Sequence, residues 1–201
     1  FQFTEQSKAS DYYNQVKMPL PKLLEAADAT REQVAANVLN LGFSTAAANL
    51  GADGKPLFST THVQEIGAGV NTSATLAFSI GALRTAVTAI KNQKSEKGRP
   101  FPVPGPYKLV VPVELSILAE ETIRSTKMPT TPNNEPNVAG QNIGSLVTLY
   151  YASSATAWFL LSENKKKNPL FFLQRINRKS GVEWDMDHLI NKVAVWEEFI
   201  A

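Results

Sequence analysis

Lys108-Leu109-Val110-Val111-Pro112-Val113 reads as one buried strand with a fixed end. After Lys108 the run holds no polar side chain. An unbroken apolar run of this length suits a strand covered by other elements. Pro112 has no N–H to give to a ladder, so the strand stops there. The period then changes over 114–125, where Leu115, Leu118, Ala119 and Ile123 recur at helical spacing and are expected to face inward. A buried strand feeding an amphipathic helix gives the centre of the chain an α+β character.

Upstream of the strand, Pro100, Pro102, Pro104 and Pro106 make a loop. Before that loop, Leu76, Ile80, Leu83, Val87 and Ile90 keep a strict seven-residue pattern. A helix is expected there, capped by Thr72 or Ser73 and running out in the polar 91–99 stretch. Residues 43–74 are turn-rich, with a signal at Asp53-Gly54, a short extended piece at 57–62 and a further loop at Gly67, Gly69 and Asn71. The longest helix is expected at 20–42. Pro19 and Pro21 fall at its first turn, where a missing N–H loses nothing. Leu20, Leu24, Ala27, Val34, Val38 and Leu41 form its apolar stripe, widened by Leu23 and Leu39 and interrupted by Arg31, with Gly42 as the C-cap. About 20 residues of helix span ~30 Å. Its Leu24–Val34–Val38 side is expected against a sheet. Residues 1–18 read as the end of an extended arm.

Downstream, 126–142 carries Pro129, Pro132 and Pro136 among several asparagines, and is expected as a long exposed loop. A run of antiparallel strands is expected next, at 146–151, 157–161, 170–176, about 182–186 and 192–199. Lys165-Lys166-Lys167-Asn168 would turn between two of them.

Composition narrows the function. The 201 residues carry 20 basic and 18 acidic side chains, and 20 − 18 leaves +2, which excludes a strongly basic protein that tracks phosphates. With 43% hydrophobic residues the chain as a whole is not disordered. The absence of cysteine removes disulfides, thiol nucleophiles, Cys-ligated zinc and iron–sulfur clusters. His62 and His188 are the only histidines, so a multi-His metal site is excluded too. The longest apolar runs, at 157–161 and 170–173, fall far short of the ~20 residues of a membrane span, and no membrane partner is expected. The chain opens at Phe1 with no signal-peptide pattern, and a true N-terminus upstream or processed away is expected.

The apparent motifs are weak. Gly67-Ala68-Gly69-Val70-Asn71-Thr72 opens like a dinucleotide fingerprint but lacks the third glycine and the acid ~20 residues on. Ser162-x-x-Lys165 follows a strand instead of opening a helix, and its companion motifs are missing. Asn71-Thr72-Ser73 fits a glycosylation acceptor with no sign of secretion. Asp187 and His188 are adjacent and do not face each other. A hydrolytic site can be drawn from Ser59, His62 and a distant carboxylate, against a plainer reading of His62 as a loop residue bonded locally. No residue is assigned a catalytic, cofactor-binding or metal role, and no cofactor is expected. The basic stretch of Lys165, Lys166, Lys167, Arg175, Arg178 and Lys179 suits a solvated face, a contact with neighbouring subunits, or nucleic acid.

Several segments, in order, resemble the major capsid proteins of tailed bacteriophages with the HK97-type fold, and among them the Mu-like head-subunit group. Residues 32–43, Glu32-Gln33-Val34 through Leu41-Gly42-Phe43, resemble the end of the family's spine helix. Asp53-Gly54-Lys55-Pro56-Leu57-Phe58-Ser59-Thr60-Thr61-His62 resembles the group's Asp-Gly turn with Phe-x-x-x-His. Asn71 matches an asparagine ahead of the next helix. Leu109-Val110-Val111-Pro112 with Leu115 and Ala119 resembles the strand-to-helix turn. Ala157-Trp158-Phe159-Leu160-Leu161, Pro169-Leu170 and Asp185-Met186-Asp187 complete the likeness over about 20–199. Val63 stands where the group usually has proline, and most of the extended E-loop is missing.

The resemblance implies an HK97-like α+β fold with a spine helix, a peripheral lobe at 1–71 and 167–201, and an axial lobe at 72–166. It implies a structural, non-enzymatic major capsid protein that self-assembles into pentamers and hexamers of an icosahedral or prolate shell around double-stranded DNA. The implied partners are further copies of the chain, portal, scaffold or decoration proteins, and packaged DNA in weak non-specific contact. The implied location is the virion, after assembly in the host cytoplasm. Two alternatives stand beside it: an encapsulin-type compartment shell, and a soluble α+β hydrolase using Ser59 or His62.

Overall fold

The computed structural model describes residues 2–4, 10, 19–63, 68–69, 76–95, 97–127, 136–163, 173–185 and 190–200. The chain forms two compact units, one of Phe1–Ala35 with Leu170–Ala201 and one of Ala36–Pro169. The elements are mixed helix and sheet, as the α+β reading requires.

The first unit holds strand β1 (Gln2–Thr4), most of helix α1 (Pro19–Asn40), and strands β7 (Leu173–Asp185) and β8 (Ile190–Ile200). β7 and β8 pair antiparallel from Leu173↔Ile200 to Asp185↔Ile190, and β1 adds to the other side of β8 through Gln2↔Lys192 and Thr4↔Ile190. The two strands expected at 170–176 and 182–186 are one strand. The turn-like Asn177-Arg178-Lys179-Ser180-Gly181 stretch stays within the ladder, and the register shifts between Gln174 and Lys179 absorb its irregularity.

Helix α1 runs from Pro19 to Asn40, as the proline start and the glycine end dictate. Along it Leu24, Val34 and Val38 are half-buried, while among the described side chains full burial comes only at Ala36 and Leu39, at and just before the last turn. That last turn belongs to the second unit. There the Asn40 amide donates to the Tyr151 carbonyl at 2.7 Å and accepts from the Ser153 N–H at 3.0 Å. Gly42 is buried, and a Cβ there would lie 2.5 Å from the Phe58 ring. Phe58 in turn donates its N–H to the Gly42 carbonyl at 2.8 Å and stacks on Phe159 at 5.3 Å.

The second unit is built on a three-stranded sheet of order β5-β4-β6, with β4 (Tyr107–Pro112) in the middle, β5 at Ile143–Leu149 and β6 at Phe159–Ser162. β4 is buried along nearly its whole length, which explains its unbroken apolar run. It pairs antiparallel with β6, Tyr107↔Ser162 to Val110↔Phe159. It pairs parallel with β5, Tyr107↔Ile143 to Pro112↔Leu149. The expected all-antiparallel run is corrected here. Parallel neighbours need a crossover of a dozen or more residues, and α3 (Val113–Arg124) with α4 (Val138–Gln141) lies between these two strands.

Helix α2 (Ile80–Lys91) begins later than the expected Thr72 or Ser73 cap, which lies outside the described residues. Ser79 is the cap, its hydroxyl accepting from the Ala82 N–H at 3.1 Å. Leu76 precedes the helix, and its carbonyl accepts from the Trp158 indole at 3.0 Å. The core joins Leu83 and Val87 of α2, Tyr107, Leu109 and Val111 of β4, Ala119 of α3 and Ala139 of α4, with Trp158 edge-on to Phe78. Tyr107 is fully buried, and its hydroxyl donates to the Val103 carbonyl at 2.7 Å. Burial pushes that phenol up. On α3, Ala119 is buried and Leu115 and Ile123 half-buried as expected, but Leu118 is 45% exposed and faces outward.

The end of the 126–142 segment also departs from an exposed loop. Asn137 is 1% exposed. Its amide nitrogen donates to the carbonyls of Thr122 at 2.6 Å and Ser125 at 3.0 Å, and its oxygen accepts from the Gly140 N–H at 3.0 Å. One side chain therefore closes the C-terminus of α3 and caps α4. Gly140 must be glycine, because a Cβ would lie 2.7 Å from that amide nitrogen. The 128–135 part of the loop lies outside the described residues.

Asn137→Leu is expected to remove the side-chain partner of one buried and two part-buried backbone groups, at about 1–3 kcal/mol for the buried one and less for the others. Asn137→Asp keeps the bond from Gly140 but turns a carboxylate onto two carbonyls, and should destabilise at least as much. Urea unfolding of the unassembled subunit checks both; a midpoint unmoved by either variant would contradict this account of the crossover.

Candidate functional site

The candidate residues Ser59 and His62 lie at the end of the turn that runs from Gly51 to His62. Gly51 and Lys55 close it through a 2.8 Å backbone bond, and Gly54 takes a positive φ of 69°. That conformation favours glycine at the tip. The Asp53 carboxylate accepts from the Lys55 N–H at 3.1 Å through Oδ1 and meets His62 Nδ1 at 2.7 Å through Oδ2. His62 Nε2 lies 3.3 Å from the Leu57 carbonyl. Both ring nitrogens therefore face acceptors. Which nitrogen donates depends on the tautomer. The hydrogen bond from His62, and after it the one from Lys55, holds the Asp53 carboxyl below its ordinary value.

Ser59 belongs to a different local motif. Its hydroxyl accepts from the Thr61 N–H at 3.1 Å and lies 3.3 Å from the Thr61 hydroxyl. No bond joins Ser59 Oγ to the His62 ring, whose nitrogens are committed to Asp53 and Leu57. A hydrolytic pair needs nucleophile and base within hydrogen-bond reach, so the Ser59/His62 hydrolase reading has no support. His62 is the locally bonded loop residue of the plainer reading. The 57–62 piece is mostly bends, with only His62–Val63 extended as β2, paired to β3 (Ala68–Gly69) through His62↔Gly69. The likeness between Gly67–Thr72 and a nucleotide fingerprint otherwise falls outside the described residues.

Ser162 is buried on β6, and Lys165 lies outside the described residues, as do Lys166, Lys167, Asp187 and His188. Lys179 is exposed on β7. Among the described residues no group of three or more His, Asp or Glu side chains is placed to hold a metal ion, and no helix is long and apolar enough to cross a membrane.

What the second unit does present is apolar surface that its own core leaves uncovered. Phe43, Tyr150, Val113, Ile117, Leu118 and Val138 are all exposed. Sequence reasoning placed Leu118 inside and did not single out Ile117. The signal was available, since Val113, Ile117 and Leu118 share the α3 face opposite Leu115 and Ala119. β5 and β6 each lack a second strand neighbour among the described residues.

The Asp53–His62 pair has a pH signature. Because the folded Asp53 value is lowered, its contribution is present above the ordinary value of 3.8 and is lost as pH falls through the lowered folded value. Asp53→Asn should speed amide exchange at Lys55 near neutral pH, and the gap from the parent should close in strong acid. A gap that persists below the folded Asp53 value would contradict the assignment.

These features describe a turn held by local bonds and an apolar surface that the second unit leaves exposed. No curated protein and no solved structure matches the chain. A family model described as phage capsid protein matches residues 1–188, nearly the whole length and part or all of both compact units. The chain belongs to the phage capsid protein family.

Proposed function

We propose that this chain is a major shell subunit of the HK97 type, near the Mu-like head subunits, that assembles as pentamers and hexamers around double-stranded DNA. The carrying observation is the capsid family match over residues 1–188. Capsid proteins of this family are structural components of the virion, so the working parts of the molecule are its surfaces. The long helix α1 supports a spine role, and the crossover-linked sheet of the second unit supports an axial lobe. The lobes at 1–71 with 167–201 and at 72–166 are part of this proposal, as are portal, scaffold or decoration partners, assembly in the host cytoplasm, and weak contact with packaged DNA. No observation favours an encapsulin-type compartment over a phage shell.

Purified subunit imaged by negative stain should form closed particles far larger than a small oligomer. A chain that stays monomeric or dimeric at every concentration and salt tested would overturn the reading.

The Lys165-Lys166-Lys167 run tests the role of the basic stretch. Replacing all three with Gln should cut particle yield and leave DNA affinity unchanged if the run meets a neighbouring subunit, which is the favoured placement. If it faces the interior, particles should persist while the slope of log affinity against log salt falls by about 3 units at most. Particle counts and salt-dependent DNA binding on the one variant separate the two.

A further inference from the structure

The second unit carries two exposed surface features of opposite charge. The first is the outer face of α3. Val113, Ile117 and Leu118 are 47%, 72% and 45% exposed there, beside exposed Glu114 and Glu121. Glu120 on the same helix already pairs with Arg124 at 2.6 Å. Among the described residues no cation meets Glu114 or Glu121.

The second is the turn from Gln93 to Phe101. Its backbone is tightly bonded: Phe101 donates to Gln93 at 2.9 Å, Ser95 to Arg99 at 2.8 Å and Gly98 to Ser95 at 2.8 Å, with Gly98 at a φ of +70°. This held turn presents exposed Lys94, Lys97 and Arg99, with the Phe101 ring 40% exposed at its base. The chain has one acid in this stretch, Glu96, outside the described residues.

We infer that the acidic, apolar outer face of α3 receives the basic Gln93–Phe101 turn of a second copy of this chain. The inference rests on the shell reading above, which supplies the neighbouring copies. Charge fixes the pairing. Packing α3 against α3 across a two-fold axis would bring Glu114 and Glu121 toward their own kind, and packing turn against turn would gather cations. Of these three pairings, helix against turn matches acid to base while covering Ile117 and Leu118 with the aromatic edge of Phe101. Such a contact uses two different patches, so it is head-to-tail, and it forms a ring where the rotation between copies closes. Opposite charges there steer encounter and fix register, and the apolar centre supplies the burial.

The test is a charge exchange in the full chain. Glu114→Lys with Glu121→Lys makes the helix face basic while keeping Ile117 and Leu118, and Lys97→Glu with Arg99→Glu makes the turn acidic. All four positions lie on exposed surface, and melting temperatures confirm that each variant folds. Each single-face variant should lose particles by about tenfold or more, because like charges then meet. The chain carrying all four changes should recover them. Single-face variants that assemble like the parent, or a four-change chain no better than the weaker of the two, would overturn the pairing while leaving the shell reading intact. A parent chain that itself forms no particles would overturn both.

Discussion

A single buried amide holds the centre of this protein together. The parallel pairing of β4 and β5 obliges the chain to leave the sheet, travel its length and return. A helix does the travelling, and a helix ends with carbonyls that need partners. Asn137 meets two such carbonyls, at Thr122 and Ser125, and starts the next helical turn through Gly140. The same side chain thus ends α3, begins α4 and sets where Ile143 enters the sheet beside Tyr107. Asparagine is suited to this point because it offers two donors and an acceptor from one planar group. Aspartate lacks the donors, and an apolar residue lacks both. The short α4 also explains its own composition: Ala139 and Gly140 are small because the turn is pressed against α3 and the core.

The parts of this architecture legible in the sequence were those set by local chemistry. The proline start and glycine end bounded α1 closely, because each removes or frees a specific backbone option. The unbroken run at 108–112 announced a covered strand, and the 3.6 period announced α2 and α3. The Asp53-Gly54 turn was visible for the same reason. What stayed hidden depended on distant partners. Nothing local distinguishes a parallel from an antiparallel neighbour, so β5 was given the wrong direction. The 137–142 segment looked like solvent-facing loop because its polar residue was counted as exposed. Its burial becomes favourable only once α3 presents two carbonyls to it. Leu118 was placed inside because a helical stripe wider than its contact cannot be trimmed without knowing what the helix touches.

The candidate chemistry follows the same division. His62 and Asp53 were found close together, yet both ring nitrogens are spent inside the turn, which is how a histidine serves shape. Ser59 spends its hydroxyl on Thr61. The family match gave a functional class that these residues alone could not have given. A shell subunit acts through area and complementarity, and sequence motifs are poor records of either. Residues that matter for assembly look, in the sequence, like ordinary surface leucines, isoleucines and lysines.

That is also why exposed apolar residues carry information in this protein. Scattered singly they would be unremarkable on any soluble surface. Here they lie along one helix face and beside a sheet whose outer strands, β5 and β6, each keep one side without a strand neighbour among the described residues. Free edges and apolar faces are hazards for a protein that works alone, because they invite pairing without control. For a subunit that must join others the same features are useful, provided something restricts which copy binds where. Charge can supply that restriction at little cost in the free subunit, since exposed Glu and Lys remain hydrated until a partner arrives. An α3 face that is both apolar and acidic, and a firmly bonded turn that is basic and aromatic, combine an attraction general enough to drive assembly with a pattern specific enough to direct it.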